Sequence, residues 1–123
     1  MITPRRGEIY WTDFGTSIGS EMRDVHPAVI LQNDVGNQVS NLTIVAVLTT
    51  RLRLARLPIC VLVSKVETGL SKDSVVNLGH IYTVDKSRLR QRAGQLSSKA
   101  MHRVEEALLV SVGMRAYRFP SGT

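Results

Sequence analysis

The chain has 123 residues, 43% of them hydrophobic and 21% charged, the composition of one globular domain and not of a disordered or fibrous chain. No apolar run approaches the ~18 residues of a membrane span, and the basic start, Met1 to Gly7, lacks the apolar stretch of a signal peptide. Sixteen Lys and Arg against ten Asp and Glu leave a net charge of +6, which favours a polyanionic partner, while a single cysteine, Cys60, excludes an internal disulfide.

The first two-thirds of the chain reads as strands. Glu8–Phe14 is aromatic and bounded by Gly7 and Gly15, and Pro27–Gln32 is a continuous apolar run with proline at its tolerated first position. Asn33–Asn37 has the residues of a turn. Leu42–Thr49 and Leu57–Val63 are two further apolar runs, each read as a strand. Ser74–Asp85 is β-branched and interrupted at Gly79, where a bulge or bend is expected.

From Lys86 to Arg92 a basic residue recurs at every second position, which in a strand lines all four along one face. The spacing predicts an edge strand offering that face to solvent or to a phosphate track. Ser97–Gly113 is the one convincing helix, with a serine to cap it, Met101, Val104 and Leu108 at helical spacing, and Gly113 to end it. Tyr10, Trp11 and Phe14 are expected in the packing and Cys60 as a small buried hydrophobe. Several short strands and one late helix predict a small, strongly curved sheet or barrel carrying the helix.

Familiar catalytic signatures are missing: the sequence has no Gly-rich phosphate loop, no serine elbow and no paired Cys or His at zinc spacing. Two segments stand out instead. Gly15–His26 is a long polar connection of the kind that forms binding surfaces. At the end of the third strand, Thr49 and Arg51 are two apart, so an extended backbone turns a hydroxyl and a guanidinium to one side, a suitable pair of donors for a phosphate oxygen.

The segments Arg6-Gly7-Glu8-Ile9-Tyr10-Trp11, Gly19-Ser20-Glu21 and His26–Asp34 resemble, in order and spacing, the MazF/PemK family. Ala46–Thr49, Lys72–Val75, Thr83–Leu89 and Val104–Leu108 continue the resemblance, which covers about the first 114 residues. It implies a mainly β domain with a C-terminal α-helix on a small SH3-like barrel, the CcdB/PemK-like fold, over residues 1–114, with 115–123 as a tail. It further implies a cytoplasmic, homodimeric toxin that cuts single-stranded RNA without metal or other cofactor and is held in check by a cognate acidic antitoxin. In the family, an arginine before the proline of the second strand and a threonine ending the third carry the chemistry. Thr49 matches the threonine, but His26 stands at the arginine's position, and Arg23-Asp24 replaces the usual Gly-Gly.

The catalytic pair implied is therefore His26 and Thr49. An imidazole, with a free pKa near ~6.5, moves protons near neutrality but is a poorer permanent cation than arginine, so Arg23 or Arg51 is expected to supply fixed charge. Ser20, Glu21, Arg23, Asn33, Thr50, Arg51 and His80 match or adjoin positions that line the family's RNA groove. Two alternatives stay open: a relative whose cleavage is weakened by His26 and which binds RNA without cutting it, and a CcdB-like toxin that poisons gyrase by protein contact.

Overall fold

The computed structural model describes residues 2–15 and 25–119. Six strands form one antiparallel sheet: β1 (Glu8–Asp13), β2 (Val25–Ile30), β3 (Leu42–Thr49), β4 (Cys60–Val63), β5 (Ser74–Asp85) and β6 (Leu89–Gln95), in the order β4-β5-β3-β2-β1-β6. Three helices complete the described chain: α1 (Asp34–Val39), α2 (Lys65–Thr68) and α3 (Ser98–Ser111), besides two short 3-10 turns. None of the helices is long and apolar enough to cross a membrane.

The sheet is buried on both sides, which is why its central strands read as apolar runs without alternation. One face holds Ile9, Val29, Ala46, Leu48, Val76 and Leu78 against Ala100, Met101, Val104 and Ala107 of α3. The other gathers Tyr10, Phe14, Ala28, Ile30, Val45 and Val47. Curvature comes from β5: Val47 pairs with Asn77 while its neighbour Ala46 pairs with Ile81, so three residues, 78–80, bulge out of the ladder. The interruption expected at Gly79 is this bulge.

The two edge strands are brought together by α2, which follows β4 and packs against β6. The approach is close enough that a Cβ at Gly94 would stand 2.2 Å from the carbonyl oxygen of Thr68. A small barrel results, its seam closed by one turn of helix in place of a hydrogen-bonded strand pair.

The helix at the C-terminus follows the expected pattern. The Ser97 hydroxyl accepts the Ala100 amide at 3.1 Å, and Gly113 adopts φ +81° just past the helix end. Met101 and Val104 are buried, as is Cys60, whose thiol pKa is pushed up by that burial.

Elsewhere the structure departs from the local signals. Asn33–Asn37 is not a plain turn but the start of α1: Asn33 is its N-cap and accepts the Gly36 amide at 2.8 Å. Asn37 is fully buried, accepting from Thr43 Oγ1 at 2.7 Å and donating to the Gln32 carbonyl at 2.9 Å. β4 begins at Cys60 and not Leu57, because the basic stretch Leu52–Arg56 winds into a 3-10 turn.

The four-residue basic face is also broken. Asp85 caps a 3-10 turn over Lys86–Arg88, and this turn interrupts the two-residue period. Lys86 points inward and donates to the carbonyls of Asn37 (2.5 Å) and Ser40 (2.9 Å). Arg90 and Arg92 do lie on an edge strand, yet β1 neutralises them through Asp13 (2.8 Å) and Glu8 (2.9 Å). The turn at Lys86–Arg88 and these ion pairs break up the uniform four-residue basic face that was expected.

Three carboxylates are held below their ordinary pKa by hydrogen bonds. The backbone amide of Ser87 donates to Asp85, that of Arg6 to Asp34, and the hydroxyl and amide of Ser97 to Glu67. Depressed carboxylates contribute stability that is complete above their ordinary values, 3.8 for aspartate and 4.5 for glutamate, and lost as pH falls through the lower folded values. The melting temperature is therefore expected to fall below about pH 4.5. Glu67→Gln should melt lower than the parent at pH 7, with the gap closing near pH 2. A gap independent of pH would contradict this account.

Candidate active site

β2 begins, β3 ends and β5 begins at the same end of the antiparallel sheet, and a cleft of about 700 Å³ opens there. The β2–β3 register pairs Ala28 with Val47, Val29 with Ala46 and Ile30 with Val45; continued by two residues, it sets His26 opposite Thr49. Both side chains line the cleft, together with Thr50 and Arg51 from the segment leaving β3. His80 reaches it from the β5 bulge.

Local structure fixes these groups. His26 pairs with Thr12 of β1, and its ring centroid stands 6.4 Å from that of buried Phe14. Thr49 is half-buried, and its Oγ1 accepts the Arg51 amide at 3.3 Å. That bond uses an acceptor lone pair and leaves the threonine proton for a ligand oxygen. The same contact bends the chain out of the strand and carries the exposed Arg51 guanidinium to the cleft.

The lining is cationic. Arg51 and Lys72 contribute permanent charge, and among the described lining residues there is no carboxylate. Such a site attracts an anion and offers hydroxyl, imidazole and amide groups to hold it. Among the described residues there is no group of three His, Cys, Asp or Glu side chains arranged to hold a metal ion.

Of the sequence-derived site residues, His26, Thr49, Thr50, Arg51 and His80 come together here. Asn33 does not: it caps α1 outside this lining, its side-chain oxygen engaged by Gly36. Ser20, Glu21 and Arg23 lie outside the described residues.

Trp11, Lys72 and Asn77 are among the lining residues that the sequence did not mark. Trp11 was expected in the packing, but it is 37% exposed and opens onto the cleft. Its position between buried Tyr10 and Thr12, near the end of β1, is the signal that could have found it. Lys72 and Asn77 enter through the β3–β5 ladder, which pairs Thr49 with Val75 and Val47 with Asn77. That juxtaposition depends on strand pairing between distant segments.

Comparison with known proteins identifies the family. Residues 5–112 match the family model described as a PemK-like, MazF-like toxin of type II toxin–antitoxin systems. The chain is 41% identical over 114 residues to Endoribonuclease MazF of Staphylococcus saprophyticus, covering 93% of this chain and 95% of that one. It is similar in structure to a mycobacterial endoribonuclease in complex with its cognate antitoxin, with TM-score 0.76 and 25% identity, over 91% of this chain and 97% of that one. MazF from Deinococcus radiodurans shares the fold at TM-score 0.76 and 23% identity, over 93% of this chain and all of that one. With the family model matching nearly its whole length, the chain belongs to the PemK/MazF family of toxins.

Proposed function

We infer that this chain is the toxin of a toxin–antitoxin pair and acts as a metal-independent endoribonuclease on single-stranded RNA. The observation that carries the reading is the convergence of His26, Thr49 and Arg51 on one cationic cleft in a chain of this family. Cleavage without metal requires the ribose 2′-hydroxyl to lose its proton, the phosphorane charge to be neutralised and the 5′-oxygen to be protonated. His26 supplies proton transfer. The Thr49 hydroxyl donates to a non-bridging oxygen, and Arg51 with Lys72 compensates the developing charge. The products are a cyclic phosphate and a 5′-hydroxyl.

Thr50 and His80 contact the strand along the cleft, and Ser20, Glu21 and Arg23 contact it from the β1–β2 connection. The exposed face of Trp11 gives one base a surface to stack on. Residues 1–114 form the working domain, with 115–123 as a tail. Two copies build a groove long enough for an extended RNA strand. An acidic antitoxin segment, complementary to the cationic cleft, occupies the same groove and excludes RNA. The setting is the cytoplasm.

The test is incubation of the purified protein with a long unstructured transcript in excess EDTA. Discrete, reproducible cuts are expected, and an equimolar antitoxin should abolish them. Salt-dependent binding that leaves the RNA intact would replace this reading with that of a non-cleaving relative.

A further inference from the structure

A second imidazole shares the cleft with His26, and proton transfer in the reading above involves only the first. His80 belongs to the three residues that β5 inserts between its two registers with β3. The first two residues of the bulge are held: Leu78 turns into the core, and the Gly79 amide donates to Asn77 Oδ1 at 2.8 Å. A Cβ at Gly79 would stand 3.0 Å from that same oxygen, so the bend is tightly packed. It carries His80, half-buried, into the cleft lining.

His26 enters from β2 and His80 from β5, the two strands flanking β3, which carries Thr49. The flanking backbones are ~10 Å apart across β3, with an offset of ~7 Å along it, and both histidines line the one cleft. Among the described residues, the fixed charges lining the cleft with them are Arg51 and Lys72. Of the described acids nearby, Asp13 is engaged by Arg90 and the Gly15 amide, and Asp73 by the Lys65 amide. Tyr82 packs on Phe14, the ring beside His26.

Cutting RNA needs one group that is deprotonated and another that is protonated at the same pH. Arg51 and Lys72 act as charges, and the two imidazoles are the groups among the described lining residues whose chemistry suits both taking and giving a proton. The geometry points to His26 and His80 as a general acid–base pair working on one phosphodiester, an inference that rests on the endoribonuclease reading. One imidazole takes the proton of the 2′-hydroxyl as the 2′-oxygen–phosphorus bond forms. The other, as imidazolium, gives its proton to the 5′-oxygen as the phosphorus–5′-oxygen bond breaks. The pair leaves the step with its protonation exchanged, and solvent restores it.

Parent protein in EDTA is expected to give a bell-shaped dependence of kcat on pH between 5 and 9. His80→Gln keeps a hydrogen-bonding side chain but cannot transfer a proton. It should lower kcat by about 100-fold or more, leave KM within a few-fold and abolish one limb of the bell. The second arm uses RNA with sulfur in place of the scissile 5′-oxygen, since a thiolate departs without protonation. Of His26→Ala and His80→Ala, one should recover close to the parental rate on this substrate and the other should not, a rescue that misfolding cannot mimic. If the parent cuts RNA while His80→Gln keeps its kcat and both limbs, or if the thiolate rescues neither alanine variant, the pair is overturned and the nuclease reading stands. If the parent leaves RNA uncut, both fail.

Discussion

His26→Ala should lower RNA cleavage by about 10²–10⁴-fold at neutral pH, the usual worth of a positioned general acid or base. The loss should fall on kcat more than KM, because Arg51 and Lys72 still attract the phosphate backbone. The fold should survive, since His26 is only half-buried at the second residue of β2 and the underlying core of Phe14, Ala28 and Ile30 is untouched. His26→Arg separates charge from proton transfer. A guanidinium stays protonated throughout the working range, so this variant should neutralise the phosphorane and cut better than alanine, with one limb of the pH profile flattened. An alanine variant that cuts as fast as the parent would remove His26 from the reaction.

A large loss of stability is expected at the seam of the barrel, where α2 meets β6. At Gly94 an added Cβ would meet the Thr68 carbonyl oxygen at 2.2 Å and its carbon at 2.6 Å, and neither backbone atom can rotate away as a side chain would. Gly94→Ala must therefore push α2 off β6, at about 3 kcal/mol, the upper range for overpacking. The comparison is Gly113→Ala, which also strains the chain, at φ +81°, but meets nothing within 4 Å. It should cost only about 1–2 kcal/mol. Urea midpoints of the two variants measure the difference. The seam also bears on function, because α2 leads into Leu70–Lys72, which lines the cleft. Gly94→Ala should raise KM for RNA as well; equal midpoints for the two variants would mean that the contact is not rigid.

What was legible in the sequence was local. β3 and β5 occupy the apolar segments expected of them, and the bulge falls at the glycine that interrupts β5. α3 runs between the serine and glycine that its ends require. What was not legible depends on partners distant in the chain. Lys86 reads as one of four alternating cations, and only its meeting with carbonyls 46 and 49 residues away turns it into an internal tie. Arg90 and Arg92 are paired with acids 77 and 84 residues away.

The site divides in the same way. The two-residue spacing of Thr49 and Arg51 marked them as neighbours, but a bend at Thr50, closed by the Arg51 amide on the Thr49 hydroxyl, brings both to the cleft in place of the extended backbone expected there. The pairing of His26 with Thr49 came from resemblance to a family and follows physically from the β2–β3 register, which no local period encodes. Trp11 was hidden because an aromatic in a β-rich run signals packing as readily as exposure. Whether it is covered depends on how far the neighbouring strands extend beyond it.

The account stands or falls on the bond that is broken and the group that attacks it. Cleavage fragments prepared in excess EDTA should carry a 2′,3′-cyclic phosphate on the upstream piece and a free 5′-hydroxyl on the downstream piece, which polynucleotide kinase labels without prior dephosphorylation. The cyclic end should be absent when a 2′-deoxy residue replaces the nucleotide 5′ to the cut, because cutting there should cease. Fragments ending in a 3′-hydroxyl and a 5′-phosphate, or undiminished cutting at the deoxy position, would show that the ribose oxygen is not the nucleophile and would contradict the mechanism drawn from His26 and Thr49.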